Sequence, residues 1–164
     1  MIRKKLIIFV ALLNFTVLCG IGLLTYVRYD LVVKRALKLQ AIGFMIPLKS
    51  MIKNMDPALL SRNPNLFYDM LLDERWEGLA YVALLDETGR FVIHSNLRLI
   101  GKLSHSFEYT KNFPLERIRR LKTGYEVYEY NDLVRIGDKN YILRVALFTD
   151  PVKNSFYIVK VISL

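Results

Sequence analysis

The sequence predicts an α+β protein in which an N-terminal apolar helix leads into a five-stranded antiparallel sheet with flanking helices. Three observations carry this: an uncharged run of 22 residues from Leu6 to Val27, a hairpin pattern between Leu79 and Lys102, and strand-like runs near the C-terminus. A length of 164 residues suits one domain plus an appendage, and 53% hydrophobic residues exclude a disordered chain. The single cysteine, Cys19, lies in the apolar run, so no intrachain disulfide forms and redox compartment is not readable.

Residues 1–5 read as a basic tail, with Arg3, Lys4 and Lys5, and residues 6–27 as a transmembrane helix. At 1.5 Å per residue the run crosses a hydrocarbon core of roughly 30 Å. It is longer than a signal peptide's apolar region and lacks an A-x-A-like exit, while Thr16-Val17-Leu18 before Cys19 does not fit a lipoprotein site. Arg28, Lys34, Arg35 and Lys38 balance the basic tail, so charge bias alone does not set orientation. A short signal-anchor tail favours an N-terminus in the cytoplasm. Asn14 and Thr16 are positioned to bond to a partner helix, which supports a homodimer through the N-terminal helices.

Residues 28–164 read as one domain beyond the membrane. Val33, Leu37, Ala41, Phe44, Leu48, Ile52 and Met55 form one stripe of a juxtamembrane helix, which Pro47 is expected to kink. The stripe reads either as packing on the sheet or as a dimer interface. Residues 28–55 hold six basic residues against one acidic, and residues 56–164 fifteen against fourteen. The +9 net charge therefore lies near the lipid bilayer, which argues against nucleic acid as a partner. Asp56-Pro57 and Asn63-Pro64 then predict a short turn followed by a helix through Leu66, Phe67, Met70 and Leu71, ending near Gly78. Trp76 reads as core packing where that helix meets the first strand.

Val82–Leu85 is continuously apolar and predicts a central strand; Phe91-Val92-Ile93-His94-Ser95 ends polar and predicts a strand closer to an edge. Asp86-Glu87-Thr88-Gly89 is the turn between them. Leu85-Asp86-x-x-Gly89-Arg90, then His94-Ser95-Asn96, then Ile100-Gly101-Lys102 resembles the signature of PAS-like extracytoplasmic sensor domains called Cache or PDC domains. The resemblance implies the ligand-binding input of a bacterial sensor kinase, chemoreceptor or cyclic-dinucleotide enzyme. It also implies a single-pass protein of the bacterial inner membrane, with the domain extracytoplasmic.

Residues 96–112 show no periodicity and read as loop. Pro114 is expected to open a helix over Leu115–Lys122 that Gly124 terminates, with Arg117, Arg119, Arg120 and Lys122 on a solvated face. Three strands should follow: Tyr125–Tyr130 with an extension to Ile136, Tyr141–Phe148 after a Gly137–Asn140 turn, and Phe156–Ile162. Two strands, a helical crossing and a three-strand meander is the order a PAS-like sheet implies.

No phosphate loop, H-E-x-x-H, C-x-x-C or nucleophile elbow occurs, so no enzyme is expected; no cofactor is implied. His94 and His105 make a poor metal site. The family's di- and tricarboxylate sensors clamp their ligand with an Arg-x-x-His pair and a strand arginine. The resemblance carries these roles to His94 and Arg144, while Phe91 stands where the first arginine would be and Ala146 where a second strand contact would be. Tyr128 and Tyr130, two apart, share a face and complete the candidate ligand site, the ligand being a small molecule of anionic character. Each has a plainer reading: an internal salt bridge or exposed face for Arg144, a satisfied structural position for His94, sheet packing for the tyrosines. Nine residues after the last turn are too few to span a membrane, so the chain is expected to act on a partner in trans or to be the sensory part of a longer receptor. The competing class is a bitopic scaffold subunit of a secretion or pilus assembly.

Overall fold

A computed structural model describes residues 2–55, 65–71, 74–104 and 112–152. Helix α1 (Ile2–Lys53) continues through Pro47. The chain divides into two units, Met1–Ala36 and Leu37–Leu164. In the first, the side chains from Ile8 to Val27 are exposed, and α1 is the one helix among the described residues long and apolar enough to cross a membrane. The Thr16 hydroxyl donates to the carbonyls of Leu12 and Leu13 in its own helix, at 3.1 and 2.8 Å.

The second unit holds the remaining turns of α1, a short helix α2 (Leu66–Leu71) and five strands: β1 (Leu79–Leu85), β2 (Phe91–His94), β3 (Leu115–Arg120), β4 (Glu126–Ile136) and β5 (Lys139–Phe148). They form one antiparallel sheet in the order β2-β1-β5-β4-β3, the expected PAS-like α+β arrangement. Central β1 is buried at six of seven positions, as a strand covered on both faces must be, and β2 is an edge. In the turn joining them, the Asp86 carboxylate accepts from the backbone N–H groups of Thr88 and Arg90, both at 2.9 Å. Gly89 supplies a φ of 80°, open to glycine without steric penalty.

Antiparallel pairing puts opposed residues on one face. Tyr81, Ala83, Leu85, Phe91, His94, Val127, Glu129, Asn131, Ile142, Arg144 and Ala146 thus share the first face. Val82, Leu84, Ile93, Tyr128, Tyr130, Leu143, Val145 and Leu147 share the second. The Leu37–Lys53 part of α1 packs on the second face: Lys38 pairs with Glu116 and Lys49 with Asp132, each at 2.5 Å. Leu37, Ala41, Met45, Leu48 and Ile52 are its buried stripe. Phe44, expected in that stripe, is half-buried and meets Trp76 at a ring separation of 5.3 Å.

One element departs from expectation. Leu115–Arg120 is strand β3, not a helix, and alternates half-buried with exposed side chains along its length. An isolated helix of two turns has little stability of its own. As a strand the segment pairs with β4 from Leu115↔Asn131 to Arg120↔Glu126 and turns Arg117 toward the buried carboxylate of Glu129. Tertiary partners therefore outweigh the local helix signals. Gly124, expected to end a helix, lies in the β3–β4 turn with φ 90° and donates to the Leu121 carbonyl at 2.9 Å. The same left-handed backbone serves either structure. The turns expected at Asp56-Pro57 and Asn63-Pro64 and the strand Phe156–Ile162 lie outside the described residues.

Candidate functional site

Two ladder rows cross the first face of the sheet. His94, Ala83, Arg144 and Asn131 form one; Tyr81, Ala146, Glu129 and Arg117 form the other. The alanines are fully buried and leave room for long neighbours to reach across β1 and β5. Tyr81 uses that room: its hydroxyl donates to Glu129 Oε1 over Ala146. Arg144, 3% exposed, donates through Nε to Asn131 Oδ1 at 2.6 Å and through Nη1 to Ser104 Oγ at 3.0 Å. Glu129, 0% exposed, also accepts from Arg117 Nε and has Arg119 Nη1 3.5 Å away. Buried charges persist when paired in this way.

His94 stacks on Tyr81 at 5.1 Å and meets the edge of Phe91 at 4.8 Å. Its Nδ1 accepts from the backbone N–H of Asn96 at 2.8 Å, which leaves the ring proton on Nε2. Burial, reinforced by the Arg144 guanidinium, pushes the imidazole down to about 4. It is therefore neutral at physiological pH. Burial alone would raise the Glu129 carboxyl, but Arg144, the Tyr81 hydroxyl and Arg117 outweigh that effect and hold it below the ordinary carboxylate range. Burial and the adjacent Glu129 push the Tyr81 phenol up, which keeps it a donor.

The structure brings His94 and Arg144 together and sets Tyr128 and Tyr130 on the opposite face. The Tyr128 hydroxyl donates to Glu116 at 2.7 Å, beside the Lys38 ion pair. Parity is the reason: Arg144 faces Asn131, so its even-numbered neighbours in β4 point away. Arg117 and Arg119, expected on a solvated face, approach Glu129 instead. Glu129, Tyr81, Asn131 and Ser104 are the members sequence reasoning misses. A charged residue inside the strand Val127-Tyr128-Glu129-Tyr130-Asn131 was the available signal.

Among the described residues, two open grooves lie away from this cluster. One, of about 680 Å³, is lined by Phe44, Pro47, Met51, Met70 and Trp76 among others. The second, of about 250 Å³, is lined by Gln40, Glu77, Gly78, Pro151 and Val152. His94 and Arg144 line neither.

No family model matches the chain. No curated protein matches it. Among solved structures it is similar to the "extracellular domain of the putative histidine kinase rpHK1S-Z16", with 17% sequence identity and a TM-score of 0.49 over 71% of this chain and 52% of that one, so the chain spans about half that domain's length.

Proposed function

We propose that the chain is the ligand-binding input domain of a bacterial membrane signalling protein of the Cache/PDC type. In this reading the apolar turns of α1 anchor it in the inner membrane, its N-terminus is cytoplasmic and its sheet domain is extracytoplasmic. One observation carries the proposal: a sheet face that buries Arg144, Glu129 and a neutral His94 side by side. A buried ion pair is often no more stabilising than apolar residues of similar volume. Perturbed titratable groups clustered on one face are a mark of functional sites. The sheet order and the Asp86–Lys102 pattern support the same reading.

The domain carries no chemistry in this proposal; it acts through differential affinity for a ligand between two states of a homodimer, read by an output module or a partner in trans. Leu39 and Ile46 of α1, seven residues apart and 63% and 64% exposed, suit contact with a second copy. The bitopic scaffold is the second reading. What favours it is that every buried side-chain nitrogen and oxygen among the described residues has a hydrogen-bond partner.

Thermal unfolding of the full chain in lipid nanodiscs, screened against small carboxylates, amino acids and amines, separates the two. The input-domain reading expects at least one class to raise Tm, and Arg144→Gln to remove that shift. Stability unmoved by all three classes at millimolar concentration favours the scaffold.

A further inference from the structure

The groove of about 680 Å³ between α1 and the segment carrying α2 and Trp76 shares no residue with the buried cluster of the sheet. Gly43, Phe44, Pro47 and Met51 form its α1 wall, their spacing placing them on one side of the helix. Pro47 has no N–H, so the carbonyl one turn earlier, that of Gly43, lacks its helical partner. Gly43 also leaves this stretch uncovered. A methyl group there would meet no atom within 4 Å, so no neighbour in the chain requires a glycine at a position where glycine weakens a helix. On the other wall stands Asp69, exposed and without an ion pair among the described residues. Phe44 and Trp76, with ring centroids 5.3 Å apart, supply the aromatic surface, and Met51 and Met70 supply thioethers that adapt to irregular shapes. Arg75, the one basic group among the described lining residues, already has an interaction of its own.

We propose that this groove is a site for a small organic ammonium with an apolar body, the Asp69 carboxylate and the Gly43 carbonyl being its acceptors and Phe44 and Trp76 its platform. An ammonium carries three donors and no acceptor, which suits a carboxylate and a carbonyl that has lost its helical donor. Aromatic faces attract the same charge through their quadrupole, and the apolar body gains by leaving water against the rings and thioethers. A groove of this volume, mostly apolar with a few polar groups, has the build of a small-molecule site. The site needs neither His94 nor Arg144, so it stands whether or not the sheet face takes a ligand.

Trp76 is the chain's one tryptophan, so its emission reports on the groove. The test titrates the full chain in dodecyl maltoside micelles with 2-phenylethylammonium and with 3-phenylpropanoate, a similar body of opposite charge, following Trp76 fluorescence and calorimetric heat. The ammonium is expected to saturate, with the propanoate at least about tenfold weaker. Asp69→Asn, at an exposed position, should weaken the ammonium about tenfold. Pro47→Ala restores the N–H that occupies the Gly43 carbonyl while favouring the helix, and should weaken it about threefold. Neither substitution threatens the fold, so lost binding is not lost structure. Propanoate binding as tightly as the ammonium makes Arg75 the anchor and overturns the proposal. Asp69→Asn or Pro47→Ala titrating like wild type overturns it too, as do fluorescence and heat both unmoved by the ammonium at millimolar concentration. An amine-induced rise in Tm that needs Arg144 but not Asp69 would support the sheet-face reading and defeat this one.

Discussion

Glu129 and His94 contribute the buried part of the domain's acid response. His94 titrates at about 4 in the folded chain against 6.5 for an ordinary histidine. Between those values the unfolded chain binds a proton that the folded chain does not, so stability falls as pH drops from about 6.5 to about 4, by about 3 kcal/mol in all. Glu129, held low, adds to the loss below its ordinary value of 4.5. Urea unfolding followed from pH 7 to 4 should show this slope, and His94→Gln should flatten its upper part. Glu129→Ala, which strips a buried carboxylate from Arg117 and from Tyr81, should cost about 3–5 kcal/mol at pH 7 by the same measurement. A cost below about 1 kcal/mol would mean that the pairing is dispensable.

At the scale of elements, β3 links the two faces of the sheet. Its Glu116 meets Lys38 of α1 and the Tyr128 hydroxyl on one side, while its Arg117 meets Glu129 on the other. The Lys38–Glu116 pair is part-exposed, so Glu116→Gln should change stability by no more than about 1 kcal/mol. Leu48, fully buried on the sheet-facing stripe of α1, is a different matter: Leu48→Ala should cost about 2–5 kcal/mol in chemical unfolding through lost transfer energy and a residual cavity. A helix bound to the sheet chiefly by ion pairs would reverse that ranking.

For the whole molecule, the proposed topology makes a prediction that needs no ligand. With Cys19 replaced by serine and a single cysteine introduced at exposed Lys102, a membrane-impermeant maleimide should label intact bacterial cells expressing the chain. Labelling only after lysis would put the sheet domain in the cytoplasm and remove the basis for an extracytoplasmic sensor.

Patterns of local chemistry were legible without the fold. The apolar run, the central position of β1, the Asp86–Gly89 turn and the α1 stripe follow from periodicity and turn residues, which act over a few positions. The separation of Tyr128 and Tyr130 from Arg144 was also within reach, since a two- or a four-residue connection between β4 and β5 pairs Arg144 with an odd-numbered residue. Two things only the tertiary structure decided. Leu115–Arg120 became a strand because β4 offered an unpaired edge and a buried carboxylate to a segment whose own helix signals were short-ranged and weak. Glu129 became the centre of the polar cluster because residues from β1, β3 and β5 converge on it across four strands' worth of register, and nothing in the sequence near position 129 encodes where those partners stand.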